Sequence, residues 1–130
     1  MDYLGRPYSP DYDCLTLFED VQRNVFHRTV DLPEHEQSVS ARSKQFQQQW
    51  HQFFTPTDTP TDGDAALMVA RKVHQHVGIV VRHDDDIFIL HNLRSDGVCL
   101  HPLPVLEGRH SYRLENYYRY VQPNQQRLQR

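Results

Sequence analysis

The chain has 130 residues, with 14 basic against 17 acidic side chains, a net charge of -3, an apolar fraction of 38% and one Trp, seven Tyr and six Phe. That length fits one hydrophobic core and that apolar content excludes wholesale disorder, while the lack of a Lys/Arg cluster able to follow a phosphate backbone argues against nucleic acid as a partner. The opening MDYLGRPYSP carries no basic segment followed by an apolar one, and no run of 18 apolar residues occurs, so a protein made in the cytoplasm and independent of membranes is expected.

In chain order, residues 13–26 place apolar side chains at 14, 17, 18, 21 and 25, the stripe of an amphipathic helix opened by Asp13 as N-cap. Val30 to Pro33 end this unit. Ser40 is a cap for a second predicted helix carrying Phe46, Trp50, Phe53 and Phe54 on one face. Residues 55–62 read TPTDTPTD and are predicted to be a loop, because Pro at that density disfavours both helix and central strand. After Gly63-Asp64 the pattern turns to strands at 65–70, 76–82, 87–91, 98–103 and 112–120, with Asp84-Asp85-Asp86 and Ser95-Asp96-Gly97 as turn signals. Helices followed by antiparallel strands predict an α+β domain over residues 1–121, with helices packed on a roughly five-stranded sheet and a polar tail at 122–130.

Two cysteines in such a chain are read as thiols rather than a disulfide. Cys14 directly follows the N-cap, where unpaired backbone N–H groups and the helix dipole favour an anion, so it is the candidate nucleophile. The alternative is a small apolar residue on the helix stripe. Among nine histidines, His76 and His91 stand out. A hairpin turning at 83–86 sets Arg82 opposite Ile87, hence Gly78 opposite His91, and puts His76 diagonally across from His91 on the same face, about 7 Å away. One imidazole can then orient the other as base, the logic of a nucleophilic triad. The alternative is a pair of polar tips at strand ends. His74 with His76, and Cys99 with His101, share strand faces and leave a transition-metal site conceivable, although neither pair has the spacing of a closed zinc site. His27, His35, His51, His83 and His110 fall in loops or on polar faces. The Asp84 to Asp86 run reads as solvated turn residues. Tyr112, Tyr117, Tyr118 and Tyr120 either pack an edge strand or stack on a sugar.

Several blocks in a fixed order resemble NlpC-type cell-wall cysteine peptidases, especially their phage-tail branch. They are Gly5-Arg6-Pro7-Tyr8, Asp13-Cys14 with its helix and Leu32-Pro33, Gly63-Asp64-Ala65-Ala66-Leu67-Met68, His76-Val77-Gly78-Ile79, Leu90-His91, and Tyr117-Tyr118-Arg119. Together they cover about two thirds of the chain; the ordered set, rather than any one block, is specific. The resemblance implies a papain-like NlpC fold and hydrolysis of an amide in peptidoglycan stem peptides, typically from γ-D-glutamate to a diamino acid. It assigns Cys14 as nucleophile, His76 as base and His91 as orienter, with Tyr8 and Asp13 at the substrate and no metal or other cofactor. Ser9-Pro10-Asp11-Tyr12 replaces the usual glycine pair, and Thr16 stands where a small residue is common, departures that bear on the substrate-binding wall.

The partners so implied are a peptidoglycan peptide and the proteins of a phage tail or an injection machine. Either route would carry a cytoplasmically made chain to the virion tail or the periplasm. A non-catalytic tail-assembly module, and a deamidase or acyltransferase using the same residues, are the competing functions.

Overall fold

In the computed structural model, residues 2–30, 50–70, 74–109 and 111–121 are described, with the side chains of 70, 74 and 75 set aside. Helix α1 spans Cys14–Asn24 and begins as its sequence dictates. Asp13 caps it, with Oδ1 accepting hydrogen bonds from the Thr16 amide at 3.0 Å and the Thr16 hydroxyl at 3.1 Å. Leu17, Phe18, Val21 and Gln22 form its buried stripe.

Six strands follow: β1 (Phe54–Thr57), β2 (Ala65–Ala70), β3 (His74–His83), β4 (Asp86–Leu93), β5 (Gly97–Pro102) and β6 (Tyr112–Tyr120). A short helix α2 (Leu103–Gly108) links the last two. The strands form a single antiparallel sheet in the order β1-β6-β2-β3-β4-β5. The β3–β4 hairpin pairs Arg82 with Ile87 and Ile79 with Leu90, the register expected from the sequence. Pairing runs through His83 and Asp86, so Asp84 and Asp85 alone make the turn, with Asp84 at φ 55°.

Strand alternation divides the interior into two clusters. On one face Leu67, Val77, Ile79, Leu90 and Val98 meet Leu17, Phe18 and Val21 of α1, together with Trp50 and Phe54. The Trp50 and Phe54 rings stack at 4.0 Å, and Tyr118 meets Trp50 edge-on. On the other face Ala66, Met68, Val80 and Ile89 pack against Leu106 of α2. The β2–β6 register slips between Leu67 and Met68, which lets Tyr112, Leu114 and Tyr117 share this second face.

The described residues therefore form a mainly β domain. They do not form the expected α+β, papain-like NlpC fold with helices stacked on about five strands. Two physical reasons account for the difference. The two helices given in full by the described residues are short, 11 and 6 residues, and lie on opposite faces of the sheet. The segment read as a loop contributes a strand, Phe54–Thr57, because β1 is an edge where Pro56 needs no ladder donor on its open side. Phe54 thus opens a strand instead of continuing a helix. The remainder of the predicted second helix, 41–49, and the tail 122–130 lie outside the described residues. Strand β6, expected at an edge, is interior between β1 and β2.

Candidate functional site

The N-terminal segment reaches the sheet by backbone pairing: the Gly5 amide donates to the Val98 carbonyl at 3.0 Å and the Val98 amide to the Arg6 carbonyl at 2.9 Å. Gly97 makes this approach possible, since a Cβ there would lie 2.4 Å from the Arg6 carbonyl oxygen. Ser9-Pro10-Asp11-Tyr12 then folds as a tight turn, with the Tyr12 amide bonded to the Ser9 carbonyl at 3.0 Å. In this turn Pro10 presets the backbone. The turn delivers the chain to Asn92, whose Nδ2 donates to the Tyr12 carbonyl at 2.7 Å. The start of α1 is thereby tied to the strand position next to His91.

Arg6, Tyr12 and Tyr3 converge on Asp20 of α1, with the Tyr12 hydroxyl donating at 2.9 Å and the Arg6 guanidinium at 3.2 Å. Burial alone would raise the Asp20 carboxyl; the bonds from Tyr12 and Asn24 and the charge of Arg6 outweigh it and hold the group below the usual range.

His76 on β3 and His91 on β4 form the most distinctive polar contact of the fold. Their rings are buried, and Nε2 of His76 lies 2.9 Å from Nδ1 of His91. Gly78 opposes His91 and leaves the room: a Cβ there would meet Ile89 Cγ2 at 2.3 Å and His91 Cβ at 3.4 Å. Tyr112 reaches across β2 from β6 and stacks on His76, ring centres 4.6 Å apart and planes 17° apart. Burial pushes the His76 pKa down to about 4, so the ring is neutral at ordinary pH and a weaker base than a solvated imidazole. On the far side, Nε2 of His91 lies 2.9 Å from Nδ1 of His101 on β5.

The remaining sequence candidates take clear places. Cys14 is half-buried at the first position of α1 and packs against the α1-side cluster, whereas alternation sets His76 and His91 on the opposite face with Met68, Val80 and Ile89. Asp13 is buried, and its carboxylate holds Thr16. Tyr8 is half-buried with the Arg94 guanidinium 5.8 Å from its ring centre. Cys99 pairs with His91 across β4–β5, its thiol facing the Gly97 carbonyl at 3.4 Å, and burial followed by the charge of Asp96 raises its pKa. Among the described residues no three His, Cys, Asp or Glu side chains are grouped to hold a metal ion. The side chain of His74 lies outside them.

Sequence reasoning missed His101 as a partner of His91, although the signal was present. Turning at 94–96 pairs Ile89 with His101 and His91 with Cys99, which makes His101 a diagonal neighbour of His91 by the rule that joins His76 to His91. Tyr112 had no such signal, because its place depends on β6 pairing with a strand some forty residues earlier. The chain matches no protein-family model and no curated protein. No described helix is long and apolar enough to cross a membrane.

Proposed function

We propose that the domain is a thiol hydrolase that cleaves an amide in peptidoglycan stem peptides, with Cys14 as nucleophile, His76 as base and His91 as its orienter. The observation that carries the reading is the buried contact of 2.9 Å between His76 Nε2 and His91 Nδ1. With Nε2 engaged, Nδ1 is the nitrogen of His76 that takes a proton, and the orienter fixes the ring, as a base in a nucleophilic triad requires. Two further observations support it: the thiol stands at the positive end of a capped helix, and Asn92 anchors the start of that helix beside His91. The reading requires the Cys14 thiol, which packs on the α1 side of the sheet, to meet imidazoles that strand alternation sets on the other face, at the end of the sheet where β3 begins and β4 finishes.

In the proposed cycle the Cys14 sulfur attacks the amide carbon and its proton passes to His76. The backbone N–H of Cys14 stabilises the oxyanion. His76 then protonates the departing amine, leaving a thioester that water, deprotonated by the same ring, hydrolyses. The ordered blocks that resemble NlpC-type peptidases support a stem-peptide bond after γ-D-glutamate, and a tail-borne or injected route to the cell wall.

A second reading, a non-catalytic assembly module, is favoured by the packing of Cys14 against the apolar cluster on the face of the sheet opposite the imidazoles. Mass spectrometry of muropeptides separates the two. Cleavage by the wild type, retained in Cys99→Ala and lost in Cys14→Ala, supports the hydrolase; cleavage undiminished in Cys14→Ala, or absent from the wild type, favours the module. Transfer to an added amine in place of hydrolysis would mark the acyltransferase variant.

A further inference from the structure

His91 is fully buried, and both of its ring nitrogens sit at hydrogen-bond distance from another imidazole: Nδ1 from His76 Nε2 and Nε2 from His101 Nδ1, each at 2.9 Å. Three rings on three adjacent strands thus form one chain, with successive rings inclined at 72° and 71°. A neutral imidazole carries one N–H and one lone pair, so His91 can donate through only one nitrogen and must accept through the other. The direction of one contact then dictates the direction of the other.

We propose that His101 is a positioning residue that sets, through His91, which ring nitrogen of His76 is available to take a proton. The inference rests on the reading of His76 as the base. When His91 carries its proton on Nε2 it donates to His101 Nδ1, its own Nδ1 accepts from His76 Nε2–H, and His76 Nδ1 is left with a lone pair. The opposite arrangement needs a donor at His101 Nδ1 and puts the His76 proton on Nδ1, where it blocks the base.

The same chain disperses charge. A proton taken up at His76 Nδ1 is balanced when His76 passes its Nε2 proton to His91 Nδ1 and His91 passes its Nε2 proton to His101 Nδ1. His76 and His91 end neutral, and the positive charge rests on His101, which is half-buried while the other two rings are buried. Leaving it on His91 would place an ion where solvent does not reach. Tyr112, stacked on His76 and edge-on to His91, holds the first two rings in the planes this exchange needs.

Long-range proton–nitrogen NMR of the full-length protein labelled with nitrogen-15 distinguishes protonated from lone-pair ring nitrogens. At neutral pH the wild type should show lone-pair nitrogens at Nδ1 of His76, His91 and His101; a protonated Nδ1 on His91 overturns the proposal without any variant. His101→Phe should change the tautomer ratio of His76 by about tenfold, the factor that one neutral hydrogen bond carries, and His101→Asn, which keeps a polar atom near the Nδ1 position, should restore it. An identical His76 pattern in all three proteins overturns it. Cleavage plays no part in these readouts, so the expected pattern in a protein that leaves muropeptides intact would sink the hydrolase reading and keep the wiring.

Discussion

His76 Nε2 lies 2.9 Å from His91 Nδ1, inside a sheet, with His76 6% exposed. A neutral ring is the form this environment favours, because burial penalises the imidazolium and lowers the pKa from 6.5 to about 4. Between those values the unfolded chain binds a proton that the folded chain refuses. Stability is therefore complete above the unfolded value and is lost as pH falls through 6.5 toward about 4. The contribution of this one group amounts to about 3 kcal/mol. Urea unfolding at about pH 7 and about pH 4 should show the loss in the wild type and a clearly smaller one in His76→Gln. Equal losses in the two proteins would mean that other groups govern acid sensitivity.

Gly78 is the residue that lets the two strands carry their imidazoles so close. A methyl group there meets the γ-methyl of Ile89 at 2.3 Å and the Leu90 carbonyl oxygen at 3.1 Å, and neither can retreat from a buried ladder. Gly78→Ala should cost about 2 kcal/mol by overpacking and lengthen the His76–His91 contact. Urea midpoints measure the first effect and imidazole NMR shifts the second. An unchanged midpoint would show that β3 and β4 separate freely at this point.

Asp64 precedes β2 and is 1% exposed; it is held by Arg119 Nη2 at 3.0 Å and by the Thr61 amide at 2.8 Å. Removing the guanidinium leaves a buried carboxylate with a backbone donor and, as countercharge, only Arg28, which bonds the neighbouring Gly63 carbonyl. Arg119→Ala should lose about 2 kcal/mol, and adding Asp64→Asn should recover part of that loss by removing the stranded charge. Additive losses in the double variant would show that the two side chains are not coupled.

Asp13 caps α1 through Thr16. Asp13→Ala should destabilise the fold by about 1 kcal/mol, and Asp13→Ser, which caps equally well, should restore most of it. Circular dichroism melts of the three proteins provide the check. A melt of Asp13→Ala superimposable on the wild type would remove the carboxylate from the folding account.

Local features of the sequence were legible and non-local ones were not. Helix α1 follows from Asp13 and a stripe at helical spacing, and strands 65–70 and 112–120 appear as read. The β3–β4 register was legible because a short acidic turn joins the strands and fixes the opposing pairs from His83 with Asp86 to Ile79 with Leu90. The fold class was not. Thr55 pairs with Arg119 across 64 positions, and nothing in a Thr-Pro-Thr segment marks it as the edge of a sheet. The face that α1 covers was equally hidden. Val77 and Ile79 on one side, and Val80, Met68 and Ile89 on the other, are both apolar rows, so alternation alone does not say which row meets the helix.

Alkylation of the two thiols tests the union of thiol and imidazole most directly. The full-length protein is treated with iodoacetamide, and the rates at Cys14 and Cys99 are followed by peptide mass spectrometry in the wild type and in His76→Phe. Cys14 should react at least tenfold faster than Cys99, as a thiolate favoured by a helix start and a neighbouring base does, and the advantage should collapse in His76→Phe. Equal rates at the two cysteines, or a Cys14 rate indifferent to residue 76, would contradict the account and leave Cys14 as a packing residue of α1.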